Sequence, residues 1–421
     1  MPLSRRHIVA AVCLSALLVA ACAGGDRAAV GSPGVTRSQH ADTIVVLTRG
    51  DGAWGPVHDA VEVLRSGETS RETTFGRPRT LATTPDGGVL VFDTKAAEGM
   101  SIRQFGADGK FVRNIGRSVS GPGEYSVAEL GAAVQHNGTI LVMEPRGMVS
   151  RFSPEGRFVN GFRTGAPTGM EIAAASDSSI FIRNWARYRR DRGATVLVSA
   201  TSIVRYDTTG RAVDSLLLDR DWLHVDGPPS PLRTLTARQE WYVVPDGRIL
   251  IIRTDKVGFL IVDPRGGTPP LIGEFASAPI AYSREERKEL EQLQAWVEAH
   301  DGLIEGGRHF TEEQKAVPIP RNKLPSKRFL RDADGRIWVE LSTPSTRMEP
   351  HGVYSTNGQS FTGRYSETDN IYAAFRLDGT FLGEMRFPKG VHRVMFTGDF
   401  AWSFVNDDEG RPALVKYRIS P

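Results

Sequence analysis

Alternating hydrophobic and polar positions recur along this chain as short runs, each placed directly after a tight polar turn. In the clearest copy the turn Pro85-Asp86-Gly87-Gly88 precedes the apolar run Val89–Phe92. Asp-Gly and Asn-Gly pairs tolerate the positive φ that tight hairpin turns require. Six turns of this kind precede the runs Val89–Phe92, Ile140–Met143, Ile180–Ile182, Ile249–Ile252, Ile337–Val339 and Phe400–Val405. Each copy predicts a β-hairpin, whose strands we call A and B.

A second hairpin pattern follows each of the first. In the first copy Ile102–Phe105 leads through Asp108-Gly109 to Phe111-Val112, and we call these strands C and D. In the sixth copy the run Leu414–Ile419 reaches the end of the sequence, so strand D is missing. Units of four antiparallel strands that repeat in this way are typical of the blades of a propeller.

We therefore expect an all-β fold, a six-bladed β-propeller of four-stranded blades closed by an N-terminal strand. An N-terminal strand in the last blade would remove an exposed sheet edge and tie the two ends of the chain together. Two segments have the composition for this role, Thr43–Leu47 and Val61–Leu64. A pair of β-sandwiches or a longer solenoid is the alternative, and neither explains why the last unit is short.

One segment, at about 281–325, departs from the repeat, and we place it as an insertion inside the fifth blade. Ser283 and Glu286 have the spacing of a capping box, which predicts the start of a helix. Apolar residues then follow at helical spacing, at Leu290, Leu293, Trp296 and Val297. This helix would end near His300 and either pack on the propeller surface, which we favour, or cover the central opening as a lid.

The first residues resemble a bacterial lipoprotein signal peptide. The apolar run Ile8–Ala21 has fourteen residues, which is about 21 Å of helix and too short to cross a hydrocarbon core of about 30 Å. It ends in Leu18-Val19-Ala20-Ala21-Cys22, which resembles the lipobox in which the cysteine is acylated. We predict a signal peptide over 1–21, lipidation at Cys22, a flexible tether over 22–41 and the propeller over 42–421. An ordinary secretory signal with a chance cysteine is the alternative.

Export and charge narrow the class of partners. Ala23 follows the lipidated cysteine, which favours the periplasmic face of the outer membrane within the cell envelope. Loss of Arg5 and Arg6 with the signal leaves 50 of the 52 basic side chains against 49 acidic ones. A nearly neutral domain of this kind has no basic patch for nucleic acid. We expect a monomer held at the membrane by its lipid anchor, with a protein, peptide or polysaccharide as its ligand.

The stretch Ser120-Gly121-Pro122-Gly123-Glu124-Tyr125 resembles an element of the NHL-like six-bladed propeller lipoproteins of bacteria. The opening Asp42-Thr43-Ile44-Val45-Val46 is similar to the same group. The resemblance implies an exported propeller and says little about activity. Propeller lyases of similar fold place histidines at matched blade positions, whereas here only His136 and His392 lie near a strand A, at different phases. This departure counts against a zinc site of three histidines.

Topology indicates where a site would lie. The ends of the B strands meet on the propeller face that carries the B–C and D–A loops, near the central opening. The polar residues that directly follow or end these strands are Asp93, Glu144, Arg183, Arg253, Glu340 and Asn406. We expect them to converge on a charged or sugar-like ligand. The alternative is that these side chains satisfy loop amides and one another.

No cofactor is predicted, although carboxylates such as Asp93 and Glu144 suit calcium near a propeller axis. The absence of a catalytic motif favours a membrane-tethered, non-catalytic binding module. The alternative function is a metal-dependent hydrolase or lyase of the propeller lactonase kind, with metal-bound water at the axial funnel.

The lipidation prediction can be tested on the two cysteines of the chain. We expect Cys22→Ala to abolish incorporation of an alkyne-palmitate label and to move the protein from the membrane to the soluble fraction, because several acyl chains are what makes anchoring stable. Cys13→Ala is the matched control and should keep both label and membrane attachment. Label retained by Cys22→Ala would contradict the prediction.

Overall fold

The structure, a computed structural model, consists of six antiparallel sheets of four core strands each, which confirms the predicted six-bladed β-propeller. In blades one to five, strands A to D are hydrogen-bonded in chain order. The described residues are 34–40, 43–66, 70, 72–96, 99–117, 121, 123–125, 130–144, 147–164, 168–184, 188–191, 194–197, 202–217, 239–300, 312–332, 335–356, 359–367 and 369–420. Cys22 and the predicted signal peptide lie outside them.

The first three blades follow the predicted runs closely. Blade one consists of Pro78–Thr83, Val89–Asp93, Ser101–Phe105 and Phe111–Ile115. Blade two consists of Gly131–Val134, Ile140–Met143, Met148–Phe152 and Phe158–Arg163. Blade three consists of Thr168–Ala174, Ile180–Asn184, Ser202–Tyr206 and Ala212–Leu217, with a hairpin of Tyr188–Asp191 and Ala194–Leu197 between its strands B and C.

The last three blades carry additional elements. Blade four consists of Gln239–Val243, Ile249–Arg253, Gly258–Val262 and Leu271–Phe275. Blade five consists of Ser326–Arg331, Ile337–Leu341, Asn370–Phe375 and Phe381–Phe387. Blade six consists of His392–Thr397, Phe400–Asn406, Pro412–Arg418 and the N-terminal strand Val61–Arg65. The remaining elements are the strands Gly34–His40, Thr43–Arg49, His58–Asp59, Ser345–Thr356 and Gln359–Glu367 and the helices α1 (Arg284–Ala299) and α2 (Glu312–Lys315).

The A–B turns have the backbone that their composition predicts. A positive φ occurs at Gly87 (82°), at Gly247 (85°) and at Gly335 (80°). In the third blade the same place is occupied by Ser178 with a φ of 65°, a conformation that costs a side-chain-bearing residue more than glycine. The turns therefore fix the hairpin register, and the alternating runs then bury their B strands completely in blades one, two and five.

The ring closes between blades six and one. Val61–Arg65 pairs antiparallel with Pro412–Arg418 and supplies the strand D that the sixth unit lacks. Across the seam, the indole N–H of Trp402 donates to the Gly87 carbonyl at 3.0 Å, and Lys416 Nζ donates to the Ala107 carbonyl at 2.7 Å. Two side chains of blade six therefore donate hydrogen bonds to backbone carbonyls of blade one.

The other candidate for closure, Thr43–Arg49, has a different role. It adds in parallel to strand D of blade four, and Gly34–His40 pairs with its outer edge. Part of the segment that we assigned to a flexible tether over 22–41 is thus a β-strand. The physical reason is that Thr43–Arg49, rich in β-branched residues, would otherwise leave its outer edge without hydrogen bonds.

Helix α1 begins at the predicted capping box: the Glu286 amide donates to Ser283 Oγ at 3.0 Å. Its position corrects our placement inside blade five, because it precedes strand A of that blade and lies in the connection from blade four. Strand A, Ser326–Arg331, must directly precede its tight A–B turn, so the insertion falls before it. The element inside blade five is instead the long hairpin Ser345–Glu367, between strands B and C.

Among the described residues, no helix has both the length and the apolar composition that crossing a membrane requires.

The seam between blades six and one should dominate stability. Trp402 is fully buried there, among Phe75, Phe404 and Leu414. We expect Trp402→Ala to lower the free energy of unfolding by about 3–5 kcal/mol, the usual cost of emptying such a site. Val159→Ala, at a 59% exposed position on the outer strand of blade two, is the control and should change it by less than about 0.5 kcal/mol. Guanidinium denaturation measures both, and equal values would contradict this role.

Candidate functional site

A cavity of about 650 Å³ lies over blades four and five, on the face where their B strands end. Its floor includes Glu240 and Ser326 from the starts of two A strands, and Thr254 and Glu340 from the ends of two B strands. Helix α1 and the hairpin Ser345–Glu367 form its roof, and we call this space the roofed cavity. D–A connections and B–C loops leave a propeller on one face, so these two insertions meet there.

Lys323 joins the floor to both parts of the roof. Its side chain is 3% exposed, and its Nζ lies 2.9 Å from Glu286 Oε1 on α1 and 3.1 Å from Glu367 Oε1 on the hairpin. The same ammonium donates to the Thr343 carbonyl at 3.0 Å and to Ser345 Oγ at 2.7 Å. Four acceptors therefore surround a group with three N–H bonds, which fixes its position.

A second set of ion pairs continues from the first. Lys327 Nζ lies 2.7 Å from Glu367 Oε2 and 3.5 Å from Glu340 Oε1. Arg328 Nε is 2.9 Å from the other oxygen of Glu340. Tyr372 donates its hydroxyl to Glu340 at 3.4 Å. The carboxylates of this wall are thus held by cations and hydroxyl groups in one connected network.

Helix α1 also contacts the hairpin directly. Glu289 accepts the backbone amides of Arg364 at 2.8 Å and Tyr365 at 3.2 Å. A Cβ at Gly363 would meet the side-chain ends of Val353 and Glu289, so a larger residue there would have to displace them. The apolar side of the helix packs Leu293 against Phe361. The roof is therefore one unit, polar on one side of the space and apolar on the other.

Two tyrosines near the network have raised pKa values. Burial, and then the negative charges of Glu286 and Glu367, raise the pKa of Tyr282 to about 12. Burial is also the main cause of the raised pKa of Tyr372, with Glu340 adding to it. Both phenols consequently remain neutral hydroxyl groups at physiological pH and can donate hydrogen bonds.

A second space of about 310 Å³ follows the propeller axis, and we call it the axial tunnel. Every innermost strand contributes an apolar side chain to its wall: Leu81, Ala132, Ala173, Tyr242, Leu330 and Met395. Tyr242 and Leu330 also line the roofed cavity, so the two spaces meet at these side chains.

The six residues predicted for the funnel face have different surroundings. Glu340 lies in the wall of the roofed cavity, as expected for a site residue. Asp93 is fully buried, and its carboxylate accepts the amides of Gly76 at 2.8 Å, Arg77 at 2.8 Å and Lys95 at 3.0 Å. These bonds agree with the structural alternative, in which a strand-end acid satisfies loop amides.

Three of the other predicted residues, Glu144, Arg183 and Asn406, are not among the described side chains that line the roofed cavity. Glu144 and Arg183 are half-buried at the ends of strand B in blades two and three, and Asn406 is exposed at the end of strand B in blade six. The backbone of Arg253 pairs with Gln239, while its side chain lies outside the described residues. Convergence of the six residues on one ligand stays a prediction.

Sequence reasoning missed Lys323, Glu286 and Glu367 as members of a site. Glu286 was found only as a helix cap, and it performs both tasks: one carboxylate oxygen accepts the Ser283 amide at 3.4 Å while the other contacts Lys323. The signal that was available is the insertion itself, because a propeller does not need a helix and a long hairpin at one face.

Within the described residues, no group of three His, Cys, Asp or Glu side chains could hold a metal ion. At Asp93, considered above for calcium, both carboxylate oxygens accept backbone N–H groups. Around the roofed cavity the carboxylates alternate with ammonium and guanidinium groups.

Comparison with known proteins supplies neighbours in fold. No protein-family model and no curated protein matches this sequence. A solved protein of Bacteroides fragilis described as exported aligns with 90% of this chain and 100% of its own, at 12% identity and a TM-score of 0.46. The alignment with a gluconolactonase of Xanthomonas campestris covers 86% of this chain and 98% of the gluconolactonase, at 12% identity and a TM-score of 0.39. The alignment with a virginiamycin B lyase of Staphylococcus aureus covers 84% of this chain and 98% of the lyase, at 10% identity and a TM-score of 0.37. At these values no activity carries over to this chain.

Loss of Lys323 should open the roof. We expect Lys323→Met to lower the free energy of opening the roof by about 3–5 kcal/mol, because removing one partner leaves buried carboxylates without their cation. Hydrogen exchange of the α1 and hairpin amides measures this as faster exchange. Lys256→Met, which breaks a half-exposed pair with Glu274 at 3.0 Å, is the control and should cost less than about 1 kcal/mol. Unchanged exchange in Lys323→Met would contradict the role of this lysine.

Proposed function

We propose that this protein is an exported, lipid-anchored β-propeller that binds a ligand in the roofed cavity without transforming it. The observation that carries the proposal is the roof itself. Two insertions that the propeller does not need for its core, α1 and the hairpin Ser345–Glu367, meet over blades four and five and enclose about 650 Å³. Cavities of this size are the usual sites for small ligands.

The wall suits a ligand that has both polar and apolar parts. Its polar side presents carboxylates and hydroxyl groups held in place by Lys323, Lys327 and Arg328. Such fixed acceptors and donors bind without first losing rotamer freedom, which lowers the cost of association. The apolar side, from Leu290, Leu293 and Phe361, supplies a surface from which water is easily displaced.

The described residues include an arrangement that resembles an activated nucleophile, and its contacts favour binding without catalysis. Ser345 Oγ lies 2.7 Å from Lys323 Nζ, the spacing of a serine–lysine pair. A lysine that activates serine must accept its proton, yet Lys323 donates to this oxygen while two carboxylates contact it. Ser345 in turn donates to Glu286 at 2.6 Å. Glu286 is itself paired with Lys323, so the network holds Ser345 Oγ between an ammonium donor and a carboxylate acceptor that both have other partners.

Export and anchoring complete the proposal. The first described strand, Gly34–His40, lies at the outer edge of blade four. The chain between Cys22 and Gly34 spans at most about 40 Å when extended. Acylation at Cys22 would therefore hold the propeller close to the membrane surface, in the cell envelope.

Native mass spectrometry tests the binding proposal. The exported Cys22→Ala protein, purified without detergent, is incubated with a small-molecule extract of the cell envelope. We expect an added mass on the protein with the wild-type cavity and none on Val353→Trp. Val353 lines the cavity and is 43% exposed, so an indole at this position can occupy the space that a ligand needs.

Val159→Trp, at an exposed site on blade two, is the matched control and should retain the added mass. An equal mass on all three proteins, or on none, would contradict binding in the roofed cavity. Recovery of a chemically altered compound from the wild type alone would overturn the non-catalytic part and favour an enzyme.

A further inference from the structure

The strand directions at the edge of blade four show on which face the N-terminal segment enters the fold. Thr43–Arg49 runs parallel to strand D of that blade, so its last residues lie beside Phe275, where the connection to helix α1 begins. Gly34–His40 runs antiparallel to Thr43–Arg49, and Gly34 is paired with Arg49. Gly34 therefore lies on the face of the propeller that carries the roofed cavity.

This entry point is fixed to the fold by backbone pairing. Gly34–His40 is paired along its whole length, and the strand beside it is paired with blade four from Ile44 to Thr48. The Ala276 amide then donates to the Thr48 carbonyl at 3.2 Å. Gly34 lies two strand spacings, about 10 Å, from the start of the connection to α1. A group attached just before Gly34 is therefore held close to the roof of the cavity.

The length of chain before Gly34 limits how the propeller can face a membrane. The twelve residues from Cys22 to Gly34 span at most about 40 Å when fully extended. Strand Gly34–His40 has seven residues, which extend about 23 Å along the blade. A membrane at the opposite face would require the chain to return over this length, leaving about 17 Å for the rest of its path. A membrane at the cavity face requires no return.

The exposed charged side chains of the roof balance one another. Among the described residues of α1 and the hairpin, four are basic and four are acidic: Arg284, Lys288, Arg347, Arg364, Glu285, Glu291, Glu298 and Glu349. Two exposed apolar side chains, Met348 (44%) and Val353 (43%), also lie on the hairpin. Such a surface neither repels nor strongly attracts an anionic bilayer. The attachment of the chain, rather than charge, is then what sets the orientation.

Resting on the lipid anchor of the proposed function, we infer that the propeller stands on the membrane with its roofed-cavity face toward the bilayer. The interaction surface is the outer side of α1 and of the hairpin Ser345–Glu367, and the partner is the surface of the bilayer that holds the anchor. The A–B and C–D turns point away from the membrane. Ligands consequently reach the roofed cavity from the space next to the bilayer, which favours molecules concentrated at the membrane surface.

Energy transfer from single labelled cysteines to acceptor lipids tests this orientation. Cys13 leaves with the predicted signal peptide and Cys22 is acylated, so an introduced cysteine is the one free thiol of the mature chain. The acylated protein carries a donor fluorophore and is reconstituted into phosphatidylcholine vesicles that contain an acceptor-labelled lipid. Two exposed positions are on blade four and two on the opposite blade one, in the variants Ser277→Cys, Thr268→Cys, Lys95→Cys and Lys110→Cys.

The four labels differ in the face on which they lie. Ser277 follows strand D of blade four and Lys95 follows strand B of blade one, so both lie on the cavity face. Thr268 and Lys110 lie in C–D turns, on the opposite face. We expect the two labels on the cavity face to lose more donor fluorescence than the two in the turns. Vesicles with added phosphatidylglycerol should give the same order, because the exposed charges of the roof balance.

A longer N-terminal segment identifies the cause of the orientation. Insertion of about 24 Gly and Ser residues after Ala23 raises the maximum span to about 120 Å. We expect the difference between the two faces to disappear, because the propeller can then turn over. A difference that persists in this variant would overturn the short attachment as its cause.

The outcomes separate this inference from the proposed function. Equal losses at all four positions, or larger losses in the turns, overturn the orientation, while lipid anchoring and binding in the roofed cavity stand. Larger losses at both positions of blade four than at both of blade one mean that the propeller lies on its edge, and they overturn the orientation as well. Protein that does not remain with the vesicles overturns the lipid anchor and this inference with it, while the mass-spectrometric test still decides ligand binding.

Discussion

The hydrogen bonds between Val61–Arg65 and the last strand of the chain are the constraint on which the molecule depends. A propeller blade cannot bury both of its faces unless a neighbour stands on each side, so one missing pairing would expose two sheets. The segments just before Val61 extend the same constraint. Thr43–Arg49 adds to blade four and His58–Asp59 to blade five before the chain reaches blade six. The N-terminal part therefore joins three consecutive blades along their outer edges.

The N-terminal strands also stabilise the roofed cavity, because two of them add to blades four and five, which form the floor of that cavity. Between the two strand additions, Trp54 packs against Trp338 with ring centroids 5.7 Å apart, and its amide donates to the Leu382 carbonyl at 2.6 Å. Inside the pair of blades, Ser326 Oγ donates across the gap to the carbonyl of Lys256 at 2.8 Å. Blades four and five are thus held together at their outer edges by the N-terminal segment and between their strands by the Ser326 bond. The polar groups on the floor of the cavity therefore keep their positions relative to one another.

Local chemistry made most of the fold predictable from the sequence. Asp-Gly turns and alternating runs encode hairpins within a few residues, and the short sixth unit required a strand from elsewhere. Of the six residues that we predicted to face a ligand, Glu340 is the one found among the described side chains of the roofed cavity, because strand position shows which face a residue reaches but not what stands opposite. Tertiary packing alone brings Glu286 of α1 and Glu367 of the hairpin within 3.1 Å of Lys323 Nζ. Two of the loop amides that Asp93 accepts, those of Gly76 and Arg77, were equally invisible, since they belong to the chain before strand A.

The ion pairs of the roofed cavity are better understood through geometry than through stability. Burying charges costs desolvation energy that their attraction only partly returns, and apolar replacements of similar volume are often as stable. A roof selected for stability alone would have used more residues like Leu293 and Val297, which already join α1 to the hairpin. The network instead fixes the oxygens of Glu286, Glu340 and Glu367 with bonds of 2.6–3.5 Å around an enclosed space. Under the proposed function, held acceptors beside an apolar wall would distinguish one amphipathic ligand from another, which gives a reason for charge where packing alone would have closed the roof.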